Sequence, residues 1–209
     1  MEAIFIIKLI SMEIREHIAN YKEKYRRTKE HPFWELLSFA IMAFIIILPI
    51  RIFIAEPFIV SGSSMYPTFE NGDYLIVDQL SYRFEDPHRG DVVVFKYPKE
   101  PKKFFIKRII GLPGETVEIK NNEVFIKHEK NNVGTKIEED YIKNMQTKDM
   151  IVTVGDYEYF VMGDNRNASS DSRVWGTVPK KLLTGRAFLR LLPIKQISIW
   201  PGEYKFLEK

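Results

Sequence analysis

The sequence predicts a mainly β, antiparallel domain behind one apolar N-terminal helix. Two observations carry that expectation. A single apolar run of membrane length stands near the start of the 209-residue chain, and downstream of it come short β-prone runs punctuated by Gly, Pro and Asn. About 150 residues remain after the apolar run, enough for one domain with its own core.

The apolar run comes first. From Leu36 to Ala55 the chain reads LLSFAIMAFIIILPIRIFIA, with Arg51 its only charge. At about 1.5 Å per residue it reaches about 30 Å, the thickness of a bilayer's hydrocarbon. Pro49 is tolerated in a membrane helix, and Arg51 lies close enough to the end to snorkel. The run exceeds a cleavable signal's apolar core, and a long charged segment precedes it, so an uncleaved anchor is expected. The stretch from Ile4 to Ile10 is too short to span.

Charge sets the orientation. Lys8, Arg15, Lys22, Lys24, Arg26, Arg27 and Lys29 precede the run, whereas Glu56 to Leu75 contains no Lys or Arg. Positive flanks stay inside, which predicts a cytoplasmic basic segment over 1–35, an anchor over 36–55 and an extracytoplasmic domain over 56–209. The net charge is only +3. Nucleic acid is therefore not implied as a partner, and the juxtamembrane basic residues suit anionic phospholipid. With no cysteine in the chain, disulfides, thiol catalysis and Cys-based zinc sites are excluded. No metal or other cofactor is implied.

In the exported part, strands are expected at Tyr74–Val77 after Gly72-Asp73, at Asp91–Phe95 after Gly90, and at Phe104–Ile110 before Gly111-Leu112-Pro113-Gly114. Thr116–Lys120 and Glu123–Lys127 flank Asn121-Asn122, a pair that tolerates positive φ and marks a two-residue hairpin. Residues 128–150 are polar and charged, a surface excursion with a short extended piece. Tyr157–Met162 and Gly185–Leu191 complete the set.

Candidate chemistry sits in three segments. Ser64 lies in Ser61-Gly62-Ser63-Ser64-Met65-Tyr66-Pro67-Thr68, a polar turn after Phe58-Ile59-Val60. Taken alone, this fits a turn serine more readily than a nucleophile. Lys107 lies in Phe105-Ile106-Lys107-Arg108-Ile109-Ile110. Alternation puts Lys107 on one face and Arg108 on the other, so one of the two cations faces inward, unless the strand is an edge with a solvated lysine. A buried lysine loses charge more readily, and a drop of about 2–3 units would make it a base near neutral pH. Arginine cannot do this, because it does not deprotonate in proteins. The third segment is Gly163-Asp164-Asn165-Arg166-Asn167-Ala168-Ser169-Ser170-Asp171-Ser172-Arg173, either a self-bonded turn or a loop whose hydroxyl orients the amine. His31, His88 and His128 stand in no recognisable catalytic setting.

In this order behind an anchor, and with Arg89-Gly90-Asp91-Val92-Val93-Val94-Phe95 between serine and lysine, these segments resemble bacterial type I signal peptidase (leader peptidase). The resemblance runs from Glu56 to Arg173. It implies a membrane-bound serine endopeptidase that removes N-terminal signal peptides from exported preproteins, cutting after small residues of the Ala-x-Ala type. It makes Ser64, not Ser63, the nucleophile and Lys107 the general base. Ser169 is implied as the lysine-orienting hydroxyl, the Ser64 backbone N–H as an oxyanion donor, and Arg108, Asp164, Asp171 and Arg173 as structural residues. Phe58, Val60 and Ile106 match pocket-lining positions beside an extended substrate held by β-augmentation. Some members carry a serine where this chain has Gly62, and Asn167-Ala168 replaces a more usual Asp-Asn.

Two other classes remain in view. Self-cleaving repressors have a similar Ser/Lys β fold but a DNA-binding domain in place of an anchor. A catalytically inactive, membrane-anchored binding module would have no need of Ser64, Lys107 and Ser169 together. A specialised Ser/Lys protease of narrow substrate range is the nearer alternative.

Overall fold

Asn121 and Asn122 adopt φ of 51° and 64°, which matches the right-handed twist of the strands they join and closes a two-residue hairpin. Local signals of this kind place most of the strands. In this computed structural model, residues 15, 16, 18, 32–49, 55–128, 131–142 and 146–206 are described. The chain divides into two units, Met1–Ile50 and Arg51–Lys209.

The first unit contributes helix α1 (Pro32–Pro49). Its apolar side chains are exposed all round, among them Phe33, Leu36, Phe39, Phe44 and Ile46. Among the described residues no helix is long and apolar enough to cross a membrane. Of the expected span over 36–55, the described residues 36–49 lie in α1 and Ala55 lies in a strand. Residues 50–54 and nearly all of the expected basic segment over 1–35 lie outside the described residues.

The second unit is built from strands β1 (Ala55–Ile59), β2 (Tyr74–Asp78), β3 (Val92–Tyr97), β4 (Glu100–Gly111), β5 (Glu115–Lys120), β6 (Glu123–His128), β7 (Asn131–Lys136), β8 (Met150–Thr153), β9 (Glu158–Met162), β10 (Val178–Pro179), β11 (Leu183–Leu192) and β12 (Ser198–Ile199), with a one-turn helix α2 (Ser172–Trp175) between β9 and β10. Every strand pairing among the described residues is antiparallel. The larger sheet runs β1-β2-β11-β3-β4-β9-β10 with β12 beside β11, and the smaller runs β7-β6-β5-β8. Expected strands reappear with shifted ends, while β1, β8, β10 and β12 carry no comparable signal in the sequence.

Strand β4 positions the site. It lies between β3 and β9, with Lys107 opposite Val93 and Arg108 opposite both Val92 and Met162. Its two edges are paired, and each face is covered separately, so both cations are buried: Lys107, at 4% exposure, meets Ser64, and Arg108, at 1%, meets Asp164 and the Tyr141 ring. The expectation that only one would face inward is thereby exceeded. Phe105 and Ile109 pack with Val93, Phe95 and Val161 in one core, and Ile110 joins the core of the smaller sheet.

Candidate active site

The serine segment is a tight turn pinned from below. Met65 and Phe69 are buried, and the Phe69 N–H donates to the Met65 carbonyl at 2.9 Å. Gly62 has φ of 94°, and its N–H donates to Asn71 Oδ1 at 2.9 Å. A side chain at that φ would be strained, which gives a physical reason for glycine where a serine stands in some members. The turn leaves Ser63 exposed and brings Ser64 against β4.

Lys107 meets it there. Nζ lies 2.7 Å from Ser64 Oγ and donates to the Ile106 carbonyl at 2.8 Å. Burial brings the amine down from 10.5 to about 8, against the opposing pull of the Asp171 and Asp164 charges. A neutral amine can accept the serine proton, and the pair is then equipped to make Oγ a nucleophile.

The loop after β9 holds this geometry from the other side. The Asn165 N–H donates to the Ser64 carbonyl and its Nδ2 to the Ser63 carbonyl, each at 3.0 Å. Asp164 accepts from Thr68 Oγ1 at 2.5 Å, and from Arg108 Nε at 2.9 Å and Nη2 at 2.6 Å. Arg108 Nη1 donates to the carbonyls of Gly90 and Gly202. Gly163 is wedged so closely that a Cβ would stand 2.2 Å from Ser169 Oγ and 2.4 Å from the Ser64 carbonyl oxygen. Only glycine fits.

Asp171 and Arg173 pair as expected, with Nε and Nη2 each 2.8 Å from the carboxylate. Asp171 also accepts from the N–H of Gly163 at 3.0 Å and of Arg173 at 3.2 Å. Burial works against its charge, but Arg173 and these donors hold its carboxyl below the ordinary range. Ser169 departs from expectation. Its Oγ is buried beside Gly163, near enough to Asp171 to favour that charge, yet makes no bond of hydrogen-bond length among the described residues. The amine is held by Ser64 and the Ile106 carbonyl instead.

Phe58, Val60 and Ile106 do converge. With Leu75, Val94 and Phe104 they line a cleft of about 250 Å³ that Ser64 and Lys107 also line. His88 and His128 stand beside Asp91 and Glu115, away from it.

Three contributors lie outside the expected set. Asn165 follows Asp164 directly, so its place in the loop is visible in the sequence though its role is not. Glu139 and Tyr141 come from the supposed surface excursion. That expectation is corrected: Ile137 enters the core, the Glu139 carboxylate pairs with the buried Arg166 guanidinium, and the Arg108 guanidinium lies 4.3 Å from the Tyr141 ring centre. Arg166 Nε in turn donates to the Gly163 carbonyl at 3.0 Å. No local pattern announces such a pairing. Asn167, where the loop departs from the more usual sequence, accepts from the Gln146 N–H at 2.9 Å.

An antiparallel β domain carrying a buried lysine against a serine has the equipment of a serine hydrolase that dispenses with histidine. A family model described as "Signal peptidase, peptidase S26" matches residues 33–192. A probable signal peptidase I-2 of Synechocystis sp. is 38% identical over 191 residues, covering 88% of this chain and 85% of that one. The signal peptidase I of Leptolyngbya laminosa is 38% identical over 187 residues, covering 81% and 84%. A crystal structure of a signal peptidase I from Enterococcus faecalis aligns at a TM-score of 0.43 with 32% identity, covering 49% of this chain and 97% of that one. The chain belongs to the signal peptidase family, peptidase S26.

Proposed function

We propose that this chain is a membrane-anchored serine endopeptidase that removes N-terminal signal peptides from exported preproteins, cutting after small residues. Ser64 Oγ attacks the scissile carbonyl while its proton passes to neutral Lys107 Nζ. The Ser64 backbone N–H donates to the oxyanion. Collapse of the tetrahedral intermediate breaks the peptide bond, the ammonium returns its proton to the leaving amine, and an ester to Ser64 remains. Lys107, neutral again, takes a proton from water as that water attacks the ester. Asp164, Arg108, Asp171 and Arg173 keep the loop against the serine turn, and Ser169 fills the space beside Gly163.

The strongest support is the 2.7 Å approach of Ser64 Oγ to an amine whose burial brings it to about 8. The apolar cleft beside the pair suits small side chains before the cut. Anchoring is supported by a helix whose apolar side chains are exposed all round and by a sequence that stays apolar, Arg51 apart, through Ile50–Ile54. In this reading Leu36–Ile54 is the anchor, residues 1–35 are cytoplasmic and the β domain is on the outer face of the plasma membrane. Exported preproteins and the phospholipid membrane are its partners.

The test is direct. Detergent-solubilised protein is incubated with a preprotein whose signal ends in Ala-x-Ala, and the product is sequenced. One new N-terminus immediately after the second Ala is expected, with none from Ser64→Ala. Cleavage at scattered positions, or cleavage that survives Ser64→Ala, would overturn the proposal.

A further inference from the structure

The cleft does not end where its apolar lining does. Along β1 and the residue that follows it, the side chains at Val60, Phe58 and Glu56 succeed one another at the two-residue repeat of one strand face. The first two line the cleft with Ser64, and Glu56 lines an adjoining groove. Strand β3 makes the same change, from Val94 in the cleft to Lys96 in the groove. Phe104, opposite Lys96 across β3 and β4, lines both and joins them. Two strands therefore pass from apolar to charged over one step in the same direction, away from the serine.

The groove is predominantly cationic. Arg83, Lys96 and Lys181 line it against the single carboxylate of Glu56, which already accepts from Gln79 Nε2 at 2.7 Å. Among the described residues Lys96 and Lys181 make no ion pair, and both are exposed. An extended peptide lying beside β1 advances in step with it, about 3.3 Å per residue. Small side chains at the first and third positions before the cut then fall near Val60 and Phe58. The next side chain on that face, the fifth, falls at Glu56, Lys96 and Lys181.

We infer that the groove is a fifth-position subsite selecting an acidic over a basic side chain in the substrate, through Lys96 and Lys181. It deepens the peptidase reading above and rests on it. Specificity then has two parts: apolar pockets that limit size near the cut, and a charged pocket further out that reads sign. Because the charges are exposed, the preference is modest and salt-sensitive.

Three preprotein substrates carrying Asp, Ala or Lys at the fifth position before an Ala-x-Ala cut test this with the full chain in a non-ionic detergent. The ratio of kcat/KM for Asp over Lys should be about three to ten at low salt and fall towards one in high salt. In the Lys96→Glu/Lys181→Glu variant the ratio should invert. A ratio of one at low salt in the unmodified protein, or one that the double variant leaves unchanged, overturns the subsite. Binding of the same three sequences as fluorescent peptides to Ser64→Ala separates this from the peptidase reading. No cleavage of any substrate, with Asp still bound more tightly than Lys, would sink the peptidase reading and leave the charged groove. Cleavage of all three with equal rates and equal binding would do the reverse.

Discussion

Lys107 carries an energetic cost along with its chemistry. Its amine titrates at about 8 in the folded chain and near 10.5 when unfolded. Between those values the unfolded chain binds more protons, so stability should rise with pH from about 8 to about 10.5 and be lowest below it. Replacing the amine by an apolar chain of similar length removes the cost. Lys107→Met should be inactive yet more stable than the unmodified protein at pH 7, by up to about 3 kcal/mol. It should also lack the alkaline rise, as measured by urea denaturation across pH. A Lys107→Met protein that unfolds more easily at pH 7 would show that the lysine is buried in its favour, not at its expense. The neighbouring serines give a sharper contrast. Ser64→Ala should abolish cleavage while the fold persists, whereas Ser63→Ala, which trims an exposed hydroxyl and keeps the carbonyl that Asn165 holds, should stay within about tenfold of normal.

Among the elements, the excursion between β6 and β8 changes role most between sequence and structure. Its polarity suggests solvent, and much of it is indeed exposed. Glu139 and Tyr141 are the exception, because they answer two guanidiniums buried on other strands and loops. Hydrophobic periodicity reports how a segment sits on its own core face. It is silent about an ion pair whose partner lies far along the chain, and that is why Ser64 and Lys107 are legible from motif and alternation while Glu139 is not. Arg108 shows the same limit: alternation asks for one inward cation, but Ser64 meets one face of β4 and Asp164 with Tyr141 the other, so both are buried. Glu139→Gln should leave Arg166 buried without its full counter-charge. A loss of about 3–5 kcal/mol, the cost of breaking a buried pair, is the expected upper range by thermal or denaturant unfolding. Gly163→Ala should act differently. Its Cβ has no room against Ser169 and the Ser64 carbonyl, so activity should fall at least about a hundredfold, with a stability loss of only about 1–3 kcal/mol. Near-normal cleavage by Gly163→Ala would mean the turn and loop are not held in register by that contact.

At the level of the whole molecule, strand positions are readable in the sequence but their partners are not. β11 inserts between β2 and β3, although both of those strands lie far earlier in the chain. Nothing in a window of sequence selects that order, although short runs with Gly and Asn turns do select antiparallel pairing. Strands as brief as β10 and β12 give too little alternation to be seen. Topology across the membrane is the prediction at this scale. In right-side-out vesicles, external protease should reach the domain beyond Ala55 and spare the segment around Tyr25. Reversing Lys22, Lys24, Arg26 and Arg27 should make both ends partly accessible. A β domain protected in the unmodified protein would place it on the other side.

In the mechanism proposed above, the cleft that takes the substrate also completes the enclosure of Lys107. With an amine at about 8, only about one molecule in ten is armed at pH 7 before anything binds. The Phe105 ring already lies beside Lys107, its centre 5.4 Å from Nζ, and the cleft is the flank that Lys107 shares with incoming chain. A small apolar side chain seated there displaces water from that flank and makes the charged amine costlier still. The pH profile of kcat, which reports the loaded enzyme, should therefore lie at lower pH than that of kcat/KM, which reports the empty one. Substrate then sets its own trigger: an unoccupied protease rests mostly protonated, and occupancy itself raises the armed fraction.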